Sequence, residues 1–199
     1  GIIPLHIWLP DTHANAPSHV SAVMSGVMLK MGVYGIVRMA ALLEMPALWW
    51  GCITLAVGVI TGVVGIIFAI GQSDIKKILA YSSIENIGII ISGLGLALLG
   101  RSLNQPQWIM LGMGGLLMHV LNHSLFKSLL FFNAGAVIHI SHTRSINRMG
   151  GLAKQMPLTM LLFVIGAVAI CALPPLNGFA SEWLIYNGLF RTLDSGSGT

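Results

Sequence analysis

Several ionisable side chains fall inside runs of apolar residues, where water is scarce. Lys30 sits among Met28, Leu29 and Met31. His119, His123 and Lys127 recur at every fourth position of another apolar stretch. Glu182 follows the interruption Pro174-Pro175-Leu176-Asn177-Gly178 and precedes Trp183 and Leu184. The chemistry these residues suit is proton carriage. Desolvation brings a lysine into the range where it releases a proton, and a histidine titrates near neutrality. On a helix the fourfold spacing stacks His119, His123 and Lys127 along one face over about 12 Å. Waters bridging such a ladder make it a proton path, with inter-helix hydrogen bonding as the plainer alternative. The histidine pair also has metal-ligand spacing, but no HExxH motif and no third ligand accompany it.

Other residues have weaker claims. Lys77, Tyr81 and Glu85 share a helical face, with Lys76 beside it. Lys76 and Lys77 lie near a helix start, so anchoring at the membrane surface competes with a transport role. Glu85 has neutralisation by Lys77 or by a neighbouring helix as its alternative, and Lys30 has pairing with a structural acid. His6, Asp11, His13 and His19 fall in an opening loop and read as solvent-side or loop-fixing. No phosphate loop, nucleophile elbow, CxxC pair or haem motif appears, so the chain shows no site for bond-making chemistry.

Composition says what must hold these groups. Of 199 residues, 55% are hydrophobic and 8% charged, with a mean hydropathy of +0.85. A soluble domain carries about a quarter charged residues, so a soluble enzyme, a nucleic-acid binder and a disordered chain are disfavoured. The alternation of a membrane β-barrel is absent. The reading is an all-α polytopic transmembrane bundle of about five spans, one per roughly 20 apolar residues.

Residues 1–19 form a helix end and loop at the membrane surface. A transmembrane region covers 20–194, and 195–199 is a loop or linker. Spans are predicted over Val20–Leu43, with Ser18 and Ser21 as caps, then Pro46–Gly71, Ser73–Leu99 and Trp108–Ile140. The fifth starts near Met156 and is broken at Pro174–Gly178, a feature tolerated at membrane depth only beside protein or a water-filled cavity. Cys52 and Cys171 lie in apolar segments and read as buried, inert thiols. The net charge of +4 reads as loop orientation. Lys76, Lys77, Arg144, Arg148 and Lys154 gather at one end, and Arg38, Arg101 and Arg191 at the other. The richer end is then cytoplasmic. The first residues, Gly-Ile-Ile-Pro, carry no initiator methionine, and the chain reads as a fragment of a longer subunit.

The segments PLHIWLPDTHANAPSHVSAVMSGVMLKMGVYG, QSDIKKILAYSSIENIGI, HVLNHSLFKSLLFFNAGAV, RMGGL and LPPLNGFASEW carry a family resemblance. They resemble the proton-conducting membrane transporters: antiporter-like subunits of respiratory complex I, Mrp-type sodium/proton antiporters and membrane-bound hydrogenases. SSIENIGI and PPLNGFASEWLIYNGLF are most similar to the formate hydrogenlyase and group 4 hydrogenase branch. The resemblance implies a proton path through Lys30, Lys76, His119, His123, Lys127 and Glu182; Lys77, Tyr81 and Glu85, from their shared face alone, are candidates for a supporting role. Lys30 matches the family's bridging lysine, Lys76 the lysine of its TDIK-type motif, and Glu182 a terminal residue that is lysine in some members. The resemblance also implies redox partner subunits carrying nickel–iron and iron–sulfur centres, a prokaryotic inner membrane, and no cofactor in this chain. The family's first half-channel lies upstream of the PLHxWLPD motif, so this chain would hold the bridge and second half-channel. The rival readings are a subunit of respiratory complex I (NADH:quinone oxidoreductase), a sodium/proton antiporter of Mrp type or acting autonomously, and a structural anchor without transport.

Overall fold

The computed structural model describes residues 1–195, with side chains through residue 193. The predicted tail at 195–199 lies outside the described residues except for Ser195, which closes the last helix. The described residues are helical, with one isolated bridge between Asp74 and Ser145 in place of any sheet. A short helix α1 (Trp8–Asn15) precedes a first span made of α2 (Ser18–Val23), a π turn (Met24–Met28) and α3 (Leu29–Ala41). Then come α4 (Leu48–Ile70), α5 (Ile75–Ser102), α6 (Pro106–Ser141), the short α7 (Leu152–Gln155), α8 (Pro157–Ile170) and α9 (Asn177–Ser195).

Among the described residues, four helical stretches are long and apolar enough to cross a membrane: Ser18–Ala41, Leu48–Ile70, Ile75–Ser102 and Pro106–Ser141. α8 and α9 make the fifth crossing together. Both run antiparallel to α6 and track it from one end to the other. Gly166 packs on Leu130, Asn177 bonds Asn122, Gly115 faces Ile185, and Arg191 reaches Gln107. The break covers 171–176, not Pro174–Gly178, because helix resumes at Asn177. Ala172 takes a left-handed φ of 50° at the end of α8, and Pro174 and Pro175 offer no N–H to carry the helix on.

α5 is the centre of the bundle. Of its most apolar stretch 89% is buried, against 22% for α4. A helix wrapped on all sides needs no polar face, and α5 has none facing outward. Asp74 caps it, accepting from the backbone N–H groups of Lys76 and Lys77. Arg101 at its other end donates to the carbonyls of Ala40, Leu43 and Glu44, closing the C-terminus of α3. Neither Ser18 nor Ser21 caps α2. Pro17 occupies the cap position, and Ser21 donates instead to the His13 carbonyl at 3.1 Å.

The two charged ends come out as predicted. The Ile75 N–H donates to the Arg144 carbonyl, Arg144 pairs with Asp74 at 3.4 Å, and Lys77 pairs with Asp11 at 2.9 Å, so these groups share one end. Arg101 and Arg191 lie at the opposite end. The thiols do not come out as predicted: Cys52 and Cys171 are exposed on outer faces. A membrane helix is apolar on its lipid face as well as its core face, so an apolar neighbourhood does not imply burial.

Glycines let α4 lie against α5. A Cβ on Gly88 would strike the backbone of Gly62 and Gly58, and one on Gly95 would come within 2.5 Å of the Leu55 nitrogen. Gly88→Val is therefore expected to destabilise the bundle by about 1–3 kcal/mol or more through overpacking. Gly114→Ala, where nothing lies within 4 Å, should be neutral. Thermal unfolding of the two variants in one detergent checks this.

Candidate functional site

The predicted ladder is buried at the contact of α5 and α6. His119, His123 and Lys127 are all 0% exposed. Lys127 reaches across to α5, where its Nζ donates to the Leu79 carbonyl at 2.8 Å and to Ser82 Oγ at 2.6 Å. His119 is held from two helices. Its Nε2 lies 3.1 Å from Asn86 Oδ1 on α5, and its Nδ1 lies 2.9 Å from Ser181 Oγ on α9. His123 stacks parallel to His119 with ring centroids 6.3 Å apart, and neither of its ring nitrogens has a protein hydrogen-bond partner. The two rings lie side by side and do not converge on one point, which is poor geometry for a shared metal.

Lys30 joins this site from the first span. The π turn, where Leu29 N–H bonds back to the Met24 carbonyl, directly precedes it. Lys30 Nζ curls back to the Ser25 carbonyl inside that turn. Ser25 Oγ lies 2.9 Å from Ser83 Oγ, and Ser83 donates to the same Leu79 carbonyl that Lys127 uses. Pairing of Lys30 with a structural acid does not occur. Among the described residues the ion pairs are Lys77–Asp11 and Arg144–Asp74, both remote from Lys30 and Lys127.

A string of residues, each hydrogen-bonded to the next, therefore runs from α3 to the broken span; at Ser25 and at Ser82 it steps between the backbone carbonyl and the hydroxyl of one residue. It passes from Lys30 through Ser25, Ser83 and the Leu79 carbonyl to Lys127. From there it continues through Ser82, Asn86 and His119 to Ser181. Asn122 ties its far end to the break, donating to the Asn177 carbonyl at 2.7 Å and to Ser181 Oγ at 3.2 Å.

The remaining predicted residues are placed apart from this string. Lys76 is buried at the charged end and donates to the Ala16 carbonyl at 2.7 Å, with no bond to the ladder. Lys77 is bound to Asp11, so it does not neutralise Glu85. Tyr81 stacks on Phe68 at 5.6 Å. Glu85 borders two clefts beside α5, one of about 270 Å³ shared with Ser92 and Tyr186, the other of about 440 Å³ toward α8. Glu182 accepts from Tyr186 at 3.2 Å on its own helix and touches the string only through its neighbour Ser181.

Sequence reasoning missed Ser25, Ser82, Ser83, Asn86, Asn122, Asn177 and Ser181. Small polar residues in a membrane helix look neutral until a partner faces them. Their one signal is spacing: Ser82 and Asn86 lie four apart, as do Asn177 and Ser181. Of the solvent-side and loop-fixing alternatives for His13, burial excludes the first. His13 is 0% exposed, stacks on Phe131 at 4.8 Å, and neither of its ring nitrogens has a protein partner. Burial, then repulsion from Lys127, Lys76 and Lys30, lowers its pKa from 6.5 to about 4.

Residues 1–193 match the model of the family described as NADH:quinone oxidoreductase/Mrp antiporter, transmembrane. The chain is 49% identical over 194 residues to "Hydrogenase-4 component B" of Escherichia coli (strain K12), covering 96% of this chain and 29% of that one. It is 47% identical over 197 residues to "Formate hydrogenlyase subunit 3" of the same strain, covering 99% and 32%. The chain thus spans about a third of the length of these curated relatives. Its fold matches a chain in the structure of the Mrp complex from Dietzia sp. DQ12-45-1b with a TM-score of 0.82 and 27% identity, covering 99% and 34%.

His13 makes a prediction of its own. Its folded pKa is depressed, so the unfolded chain binds the proton more readily. The contribution of neutral His13 is full above pH 6.5 and is lost progressively as pH falls from 6.5 toward 4. The total loss is on the order of 3 kcal/mol. His13→Phe should flatten the acid-side decline of Tm between those limits, measured by thermal melts across that range.

Proposed function

The chain belongs to the NADH:quinone oxidoreductase/Mrp antiporter membrane family, and from that membership we propose that it carries protons along its buried Lys, His and Glu residues. The string of Lys30, Lys127 and His119, buried with no carboxylate bonded to it, is the observation that carries this reading. A structural network would put an acid beside each buried cation, because an unpaired charge is costly at this depth. A carrier must instead be able to become neutral, which carbonyl and hydroxyl partners permit.

Backbone carbonyls bind protons but do not pass them on. Water molecules therefore complete the transfers, beginning around His123, whose free ring nitrogens suit them. Lys30 and Lys127 exchange across Ser25 of the π turn and Ser83 of α5. Lys127 passes the proton to His123 and His119, and Ser181 leads to Glu182 at the broken span. Lys76 enters from the charged end past His13, which all three lysines repel. Glu85, at the mouths of two clefts, supports the exit side, whereas Lys77 and Tyr81 position α5.

The parent assembly in this reading is a formate hydrogenlyase-type hydrogenase in a prokaryotic inner membrane, with the lysine-rich end cytoplasmic. The identities to the two Escherichia coli proteins support it. In this reading nickel–iron and iron–sulfur centres belong to partner subunits. The likeness to a chain of the Mrp complex favours a second reading, an Mrp-type sodium/proton antiporter.

Lys127→Met and Lys30→Ala, made in the full-length subunit within its assembled complex, test the proposal. Redox-driven proton uptake into vesicles should fall at least about tenfold while uncoupled redox turnover stays unchanged. Undiminished uptake in both variants would favour a structural anchor. Sodium-dependent transport by the isolated full-length subunit would favour the antiporter.

A further inference from the structure

We propose that Ser181 is a positioning residue for His119: its hydroxyl rotates between the imidazole and the Gly178 carbonyl, letting His119 gain a second proton without losing a hydrogen bond. The proposal deepens the proton-transfer reading and relies on it for its purpose, while its geometry is independent of it.

Around the fully buried His119 ring, the available donors and acceptors fix where each proton sits. Asn86 faces His119 with Oδ1, and the amide cannot be turned round. Its Nδ2 is already donated to the Ser82 carbonyl at 2.8 Å, where a reversed amide would oppose two oxygens. His119 Nε2 must therefore carry a proton. In the neutral ring, Nδ1 then has a lone pair and needs a donor, and the one hydroxyl within reach is Ser181, at 2.9 Å. The neutral state is thus the Nε2–H tautomer, accepting from Ser181.

When His119 takes a second proton, Nδ1 becomes a donor and Ser181 must become an acceptor. Ser181 can do so because another acceptor waits for its own proton. The Gly178 carbonyl lies 3.0 Å from Ser181 Oγ, with the Asn177 carbonyl at 3.5 Å. Asn122 Nδ2, at 3.2 Å, donates to the serine oxygen in both states. In the charged state Ser181 accepts two hydrogen bonds and donates one, the full capacity of a hydroxyl. Only one O–H bond rotates.

The surroundings make that rotation matter. Lys30 from α3 acts on the ring with like charge, His123 stacks on it at 6.3 Å between ring centroids, and Lys127 lies about two turns further along α6. Glu85 adjoins Asn86 on α5, and Glu182 adjoins Ser181 on α9. His123, lacking protein partners, has no such arrangement. Ser181 is itself 0% exposed, so no bulk water substitutes for it. Because its second acceptor belongs to the first turn of α9, the charge on His119 is registered at the broken span.

The test uses the full-length subunit in nanodiscs with ¹⁵N-labelled histidine, the His119 signals being assigned with His119→Gln. The wild type should show the Nε2–H tautomer at neutral pH and a doubly protonated ring at acidic pH. Ser181→Ala should reduce the doubly protonated fraction at that acidic pH at least about threefold and mix the neutral tautomers. Ser181→Thr, which keeps the hydroxyl, should restore the wild-type spectrum. A wild-type spectrum in Ser181→Ala, or a Ser181→Thr spectrum like that of Ser181→Ala, would overturn the proposal. Proton uptake by the assembled complex is read in parallel. Unchanged uptake with altered spectra would remove the transport reading and leave the switch in place.

Discussion

A lysine ammonium held inside a helical bundle with no carboxylate bonded to it is the constraint the rest of the structure serves. Lys127 is fully buried, and its hydrogen bonds go to the Leu79 carbonyl and the Ser82 hydroxyl. Such partners stabilise a cation less than an acid would, and they leave the neutral amine nearly as well accommodated. The ion pairs among the described residues are confined to the end of the bundle, where Asp11 and Asp74 hold Lys77 and Arg144. Charge at the ends is paired; the cations at depth are bonded to neutral oxygens.

Meeting that constraint takes a helix with polar groups on several sides, and α5 is that helix. Ser82, Ser83 and Ser92 satisfy themselves by bonding back to carbonyls one turn earlier, which makes them cheap to bury among apolar neighbours. Ser83 then meets Ser25 of the first span, Ser82 meets Lys127, and Asn86 meets His119. Glycine contacts bring α4 against one side of α5, where Ser92 lies beside Gly58 and Tyr81 stacks on Phe68, while Ser82, Ser83 and Asn86 face the first span and α6.

Irregular backbone supplies the two ends of the string. The π turn at Met24–Met28 aims the Ser25 carbonyl at Lys30, and Gly26 within it lets α6 approach so closely that a Cβ would meet Ser128. The break at 171–176 starts α9 at Asn177, where the Asn122–Asn177 contact and Ser181 receive His119. Gly178 makes this junction by allowing the Ala169 carbonyl of α8 into the space a side chain would fill. The π turn is buried against α6 through Met24, Ser25 and Gly26, whereas the break is exposed at Cys171, Leu173, Pro174 and Pro175 and joins the bundle through the buried Gly178 at the start of α9.

The one-dimensional pattern was sufficient for what depends on composition and period. Low charge and long apolar runs dictated an all-helical membrane bundle, and the fourfold spacing placed His119, His123 and Lys127 on one face. The double proline announced the break, and the distribution of Lys and Arg separated the two ends. What it left open depended on which residues meet. Cys52 and Cys171 turned outward because lipid and core are equally apolar. His13 went inward because α1 packs on Phe131, although its segment reads as a polar loop. Lys77 took Asp11 in place of Glu85, and Lys76 bonded the Ala16 carbonyl, choices made by the fold of the opening segment. Hydrogen-bond partners are chosen by proximity across helices, and proximity between residues dozens of positions apart exists only once the bundle has closed.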